Sequence, residues 1–192
     1  MKSFRNAEEY EQKKQQLSDL MQLDAEDYID VYFADESSFS LTPNVPYAWQ
    51  HKDYPVLLPS KRSANINVFG LINRDCRFKH YMAEGTINSQ TVIEFIDDFC
   101  QTISKMTVIV LDNAPIHKSN AFKAKMDEWR QQDLYVFFLP AYSPELNIIE
   151  TLWRFIKYKW LSFDAFLNFQ NLKEQVIDVL SNVGEKYVIK YY

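Results

Sequence analysis

The chain has 192 residues, a net charge of −5, an aromatic content of 16% and only three glycines. Such a composition excludes a disordered chain and suits one packed domain, and no apolar run approaches the ~20 residues that span a bilayer. The polar, charged N-terminus does not read as a secretory signal. Cys76 and Cys100 are the only two cysteines, with no His or Cys spacing around them, so a disulfide framework and a structural zinc site are not expected. A cytoplasmic protein in a reducing compartment fits. The acidic balance argues against a dedicated nucleic-acid-binding module, but not against a nuclease core, whose metal-binding carboxylates themselves lower the charge.

Residues 1–28 read as a helical lead-in or linker, rich in Ala, Glu, Gln, Lys and Leu, with Leu17, Leu20, Met21, Phe4 and Tyr10 as its apolar positions. Ile29 to Ala34 is an apolar strand that stops at Asp35-Glu36-Ser37-Ser38. Because side chains alternate along a strand, Asp35 and Glu36 should not share a face. Either Asp35 is a ligand-bearing carboxylate, or the strand simply ends in an acidic turn. Phe39 to Ser63 holds four of the seven prolines together with Tyr47, Trp49 and Tyr54, which predicts a long loop or short ribbon. Its aromatics either meet a partner or fold back on the sheet. Lys61 and Arg62 at its end are candidate phosphate contacts.

Asn65 to Ile72 and Phe78 to Ala83 read as two strands joined by the Asn73-Arg74-Asp75-Cys76 turn, hence antiparallel. Asn88 or Ser89 then caps a helix carrying Val92, Ile93, Ile96 and Phe99. Val108 to Leu111 is a continuous β-branched run, the signature of a strand buried on both faces. It ends abruptly in Asp112-Asn113-Ala114-Pro115-Ile116-His117. Open α/β sheets bind ligands at the carboxyl ends of such strands, so Asp112 is a candidate for chemistry. Equally, it can make an Asx-turn or cap the next helix. Ser119 opens a helix with Phe122, Met126 and Trp129, and Leu134 to Leu139 is another strand. The early strands are therefore expected to pair antiparallel and the later ones, returning through helices, to lie parallel.

The stretch from Ala141 to Glu150 leads into a helix with an apolar stripe at Ile149, Leu152, Trp153, Ile156 and Trp160. Glu150 lies at the edge of that stripe and can point along the sheet, or it can pair with Asn147 in a capping box. Arg154 and Lys157 lie one and two turns further on. They either meet a DNA backbone, or Arg154 pairs with Glu150 at i,i+4. Beyond Trp160, Leu172, Val176, Val179 and Val183 form an amphipathic packing helix. Asp35, Asp112 and Glu150 thus come from three elements, and three carboxylates at one sheet edge would repel one another unless a cation sat between them. Oxygen ligands without His or Cys suit Mg²⁺ or Mn²⁺. Two such ions ~3.5–4 Å apart can clamp the attacking and leaving oxygens of a phosphoryl displacement.

In three words, in order, the sequence resembles the catalytic domain of DDE-type transposases of the mariner superfamily, in particular its bacterial insertion-sequence branch. They are Tyr32-Phe33-Ala34-Asp35-Glu36-Ser37, Leu111-Asp112-Asn113-Ala114-Pro115-Ile116-His117 and Tyr142-Ser143-Pro144-Glu145-Leu146-Asn147-Ile148-Ile149-Glu150. The 37 residues between Asp112 and Glu150 fall within the family's range. Weaker similarity runs through Val45-Pro46-Tyr47-Ala48-Trp49 and Val68-Phe69-Gly70; Ile148 departs from the proline usual there. The resemblance implies a ribonuclease-H-like α/β fold, a mixed five-stranded sheet with helices on both faces. It spans a domain at 29–165, with 166–192 as a C-terminal helical extension. It implies that Asp35, Asp112 and Glu150, and not Glu36 or Glu145, hold two divalent ions. It also implies DNA cleavage at transposon ends, strand transfer into target DNA, and a homodimer on DNA, with neither a membrane nor a small-molecule cofactor involved. Asn113 and His117 share the motif as candidate DNA contacts or supports for the ligands.

Relatives carry end-reading helix-turn-helix domains ahead of this one, and only 28 residues precede Ile29, too few for such a domain. The chain is therefore not expected to recognise transposon ends by itself. Two alternatives to an active catalytic domain stand beside it: a non-catalytic binding or dimerisation remnant, and another nuclease of the same fold.

Overall fold

The computed structural model describes residues 6–42, 53, 65–83 and 85–191. The proline-rich loop's Tyr47, Trp49, Tyr54, Lys61 and Arg62 lie outside the described residues. Helix α1 (Ala7–Ala25) is opened by the Asn6 side chain, which accepts from the Glu8 and Glu9 amides. Strands β1 (Asp30–Phe39), β2 (Ile66–Ile72) and β3 (Phe78–Ala83) follow. Then come α2 (Ser89–Cys100), β4 (Thr107–Leu111), α3 (Asn120–Arg130), β5 (Leu134–Phe138), α4 (Ile149–Phe155) and α5 (Phe169–Ser181).

The five strands form one sheet in the order β3-β2-β1-β4-β5. β1 pairs antiparallel with β2, and β2 with β3, whereas β1–β4 and β4–β5 are parallel. This is the mixed pattern expected from a hairpin followed by helical crossovers. β4 is buried at every position, because helices cover both of its faces. On one side Val31, Phe33, Val108 and Val110 pack against Ile149, Leu152 and Trp153 of α4, with Leu172 and Val176 of α5 and Leu17 of α1. On the other, Ala34, Phe69, Ile109 and Leu111 meet Val92 and Ile96 of α2 and Phe122 and Trp129 of α3.

Three local details go beyond the sequence reading, and the first departs from it. β1 does not stop at Asp35 but runs on to Phe39, with Asp35 opposite Gly70 and Glu36 opposite Phe69 on β2. The polar run Asp35-Glu36-Ser37-Ser38 hides this continuation, yet Ser37 and Phe39 are buried in the alternation of a paired strand. The β4 side behaves differently, since β1–β4 pairing ends at Phe33 opposite Val110. Second, the cap of α2 is Asn88, whose side chain accepts from Gln90 and Thr91. Third, α4 widens after Phe155 into a π-turn, Ile156–Trp160, a distortion that recurs at functional sites.

Gly70 sets how close α4 comes to the sheet. A Cβ built there would lie 2.7 Å from the ring of Trp153, closer than any real side chain tolerates. Glycine at this strand position lets the indole lie directly on the backbone, edge-on to Phe39 and Phe78 at 6.2 Å each. Trp153 thereby anchors the helix that carries Glu150 over the strand position paired with Asp35.

Candidate active site

A cleft of about 590 Å³ opens at the carboxyl ends of the parallel strands, and Asp35, Asp112, Asn113, Asn147 and Glu150 line it. Leu139, Pro140, Ala141 and Pro144 form an apolar wall. The three suspected carboxylates thus come together from β1, the end of β4 and the first turn of α4. Glu145 is exposed on the short turn Pro144–Leu146 and does not line the cleft.

Asp112 makes the Asx-turn of its structural reading and also lines the cleft. Its Oδ1 accepts the Ala114 amide at 3.0 Å, an Asx-turn, and lies 3.1 Å from His117 Nδ1. Its side chain is still 50% exposed, because a carboxylate has two oxygens and the turn uses one. His117 is 1% exposed. It sits on a short 3₁₀ turn, Pro115–Lys118, and its Nε2 lies 3.2 Å from Glu36 Oε1. Alternation along β1 sends Glu36 to the α3 face and Asp35 to the α4 face, as expected for adjacent strand residues.

The local electrostatics follow from these contacts. Asp35 is pushed up to about 8, first by burial and then by the charges of Glu36, Glu150 and Asp112. Asp112 is held below the usual carboxylate range, mainly by the bond from His117, against opposing burial and with help from the Ala114 amide. Burial would lower His117, but the bonds to Asp112 and Glu36 outweigh it and raise the ring to about 9. Lys157, on the π-turn, is lowered by burial while Asp35 and Glu150 pull it the other way. Its Nζ stands 5.4 Å over the Phe39 ring.

The capping box between Asn147 and Glu150 does not form. α4 has no side-chain cap; Asn147 Nδ2 instead donates across to the Ala34 carbonyl of β1 at 3.2 Å. Its Oδ1 is buried without a hydrogen-bond partner. The i,i+4 pairing of Arg154 with Glu150 gives way to a bond from the guanidinium to Thr151 Oγ1 at 3.4 Å. Glu150 is therefore exposed at the cleft without a capping task. Sequence reading missed Glu36 as a partner of His117 and Asn147 as a tie to β1, since both contacts are tertiary. It also passed over Tyr142, which is 61% exposed at the cleft in a left-handed conformation (φ 58°).

Among the described residues no group of three or more His, Cys, Asp or Glu is gathered closely enough to hold an ion. The donor set nevertheless fits a hard divalent cation. It offers carboxylate oxygens only, and the mutual charge that raises Asp35 is what a cation there would relieve.

A family model described as DDE superfamily endonuclease matches residues 30–173, well over half the chain. The Mos1 mariner paired end complex with Mn contains a chain that superposes with a TM-score of 0.64 at 15% identity, covering 95% of this chain and 58% of that one. The catalytic domain of Mos1 mariner transposase gives a TM-score of 0.56 at 11% identity, over 92% and 82%. Uncharacterized protein y4pE/y4sA of Sinorhizobium fredii is 32% identical over 65 residues, 34% of this chain and 44% of that protein. The chain thus spans under half of that relative and 58% of the Mos1 chain in the Mn complex. At such identities the superpositions speak for the fold alone, a ribonuclease-H-like one. The sequence match together with the three carboxylate-bearing words identifies the chain as a member of the DDE superfamily of endonucleases, folded like the catalytic domain of a mariner transposase.

Proposed function

We propose that this chain is the catalytic domain of a DNA transposase of the insertion-sequence type, which cuts DNA strands and transfers the freed 3′ ends with the help of two Mg²⁺ or Mn²⁺ ions. The observation that carries this reading is the meeting of Asp35, Asp112 and Glu150, from three separate elements, at one cleft of an endonuclease-family fold. Structures of Mos1 with the same fold are paired end and strand transfer complexes, with Mn in one case and Mg in another.

Asp35, Asp112 and Glu150 would hold the ions, which supply an activated water or hydroxyl and charge stabilisation at the leaving oxygen. Asp112 presents its second oxygen while the Asx-turn and His117 restrain the first. The apolar wall from Leu139 to Pro144 limits the water that can reach the cut phosphate. Lys157 supplies positive charge beside Asp35 and Glu150. With Arg154, Asn113 and, outside the described residues, Lys61 and Arg62, it is assigned to the DNA backbone. The substrate is DNA, both transposon end and target, and the working form is a homodimer on it. The proposed place of action is the cytoplasm, at the nucleoid; no helix among the described residues is long and apolar enough to cross a membrane.

The test is a nicking assay on supercoiled DNA in Mn²⁺ with the purified chain and its Glu150→Gln variant. The reading expects metal-dependent nicks that the variant does not make. Equal nicking by both, or nicking that survives chelation, would remove it.

A further inference from the structure

We infer that Glu36, working through His117 from the opposite face of the sheet, is a positioning residue that fixes Asp112 against Asp35. The inference rests on the metal-holding role proposed above for those two carboxylates.

The geometry begins with a gap in the sheet. Asp35 and Asp112 belong to neighbouring strands, but the β1–β4 ladder ends at Phe33 opposite Val110, before either carboxylate is reached. Beyond that point no strand hydrogen bond sets the distance between the two backbones. Two side-chain links lie there, and only the second spans β1 and the end of β4. Asn147 Nδ2 reaches the Ala34 carbonyl at 3.2 Å and ties α4 to β1. On the α3 face, Glu36 Oε1 lies 3.2 Å from His117 Nε2, and His117 Nδ1 lies 3.1 Å from Asp112 Oδ1. Glu36 is the residue next to Asp35, so this strut joins the backbone bearing one carboxylate to the side chain of the other.

The chemistry of the strut is directional. Ionised carboxylates only accept, so each ring nitrogen donates, and the imidazole is gripped at both ends. A ring held at one nitrogen swings about that bond; one held at two does not. With the ring fixed, Asp112 Oδ1 carries two donors, from His117 and from the Ala114 amide, and Oδ2 is left to the cleft. His117 is buried, and Glu36 is the partner of its Nε2. The side chain of Glu36 is 23% exposed and belongs to no part of the proposed ligand set.

The test measures Mn²⁺ binding to the full chain by calorimetry, with and without a short DNA duplex, for wild type, Glu36→Gln and Glu36→Ala. A glutamine oxygen still accepts from Nε2, so Glu36→Gln should stay within about threefold of wild type. Loss of an outer-shell partner typically weakens metal binding ~10–100-fold, and Glu36→Ala should fall in that range; because it also leaves the buried His117 Nε2 without its carboxylate, its metal-free melting temperature should drop, and affinities are compared well below it. If Glu36→Ala does not fold, Glu36→Thr serves, being strand-compatible and too short to reach the ring. In the nicking assay Glu36→Ala and Glu36→Thr should lower kcat with DNA affinity unchanged, and Glu36→Gln should restore it. Wild-type Mn²⁺ affinity in a folded Glu36→Ala or Glu36→Thr would overturn the inference while leaving the proposed function standing. A wild-type chain that binds no Mn²⁺ in either condition would overturn both.

Discussion

Asp35 and Asp112 stand a strand apart at one cleft, yet their surroundings push them in opposite directions. Asp35 meets burial and three like charges and rises to about 8. Asp112 has an imidazole and a backbone amide of its own and is lowered. One carboxylate is compensated by the protein; the other is not. On the proposed metal-binding reading, Asp112 would be the oriented ligand and Asp35 the one whose charge a cation relieves.

The sharpest way to break the comparison is substitution at both positions. Asp35→Asn and Asp112→Asn should each abolish strand cleavage in the nicking assay. Their metal-free stabilities should then diverge. Asp112→Asn keeps an acceptor for His117 but loses the charge assistance, and denaturant unfolding should report a loss of about 1 kcal/mol. Asp35→Asn removes repulsion and should be neutral or stabilising. If the two variants unfolded alike, the contrast drawn here would be wrong.

Changing pH sharpens it next. Asp35 has a folded pKa raised from 3.8 to about 8. The folded state therefore binds the extra proton, and its contribution is fully present below 3.8 and lost as pH rises through about 8. Asp112 works in the other sense: its contribution is present above 3.8 and lost as pH falls through its lowered folded value. His117, raised from 6.5 to about 9, contributes fully below 6.5 and loses this as pH rises through about 9. Melting temperatures of the metal-free chain should thus fall from weakly acid to alkaline pH. Asp35→Asn should remove the acid part of that slope and leave the His117 part. If Asp35 holds the metal as proposed, binding displaces its proton, and apparent Mn²⁺ affinity should climb about tenfold per pH unit up to the Asp35 value.

A smaller effect concerns the support under Glu150. Gly70→Ala drives a methyl into Trp153, and overpacking of this kind costs about 1–3 kcal/mol. Cleavage should drop as well, since α4 is displaced from Asp35. Unchanged unfolding and cleavage would show that the indole has room to move. The smallest effect expected is that of Glu150→Gln on metal-free stability, within ~0.5 kcal/mol of wild type by denaturant titration. A loss well above that would reveal a structural duty that its exposed, uncapped position does not suggest.

Much of this architecture is legible from residue order alone. The unbroken apolar run before Asp112 announces a doubly covered strand, and β4 is one. The hairpin turn at Asn73 and the helices between later strands give the antiparallel and parallel halves of the sheet. The resemblance to mariner transposases likewise agrees with the family match. What stayed hidden has a common cause. The continuation of β1 past Asp35 is made of polar residues whose pairing with β2 no apolar pattern advertises. Asn147 offers a capping signature, but its Nδ2 donates to the Ala34 carbonyl of β1 and, with the side chain held so, its Oδ1 accepts from no α4 amide. Glu36 and His117 are far apart in sequence, and neither carries a sign of the other. Local signals were read correctly where only local forces act, and failed where a distant partner decided.

The central place of β1 in the strand order has a consequence for the chain as it is synthesised. Its pairing with β2 is available early, whereas its other edge waits for β4, which emerges much later. Non-local strand pairing of this kind is slow, and a waiting edge invites association with other chains. Synthesis runs from the N-terminus at ~5–20 residues per second, so Asp35 exists for seconds before Asp112 and longer still before Glu150. A nascent chain therefore lacks the cleft that gathers Asp35, Asp112 and Glu150 until its late helix has docked.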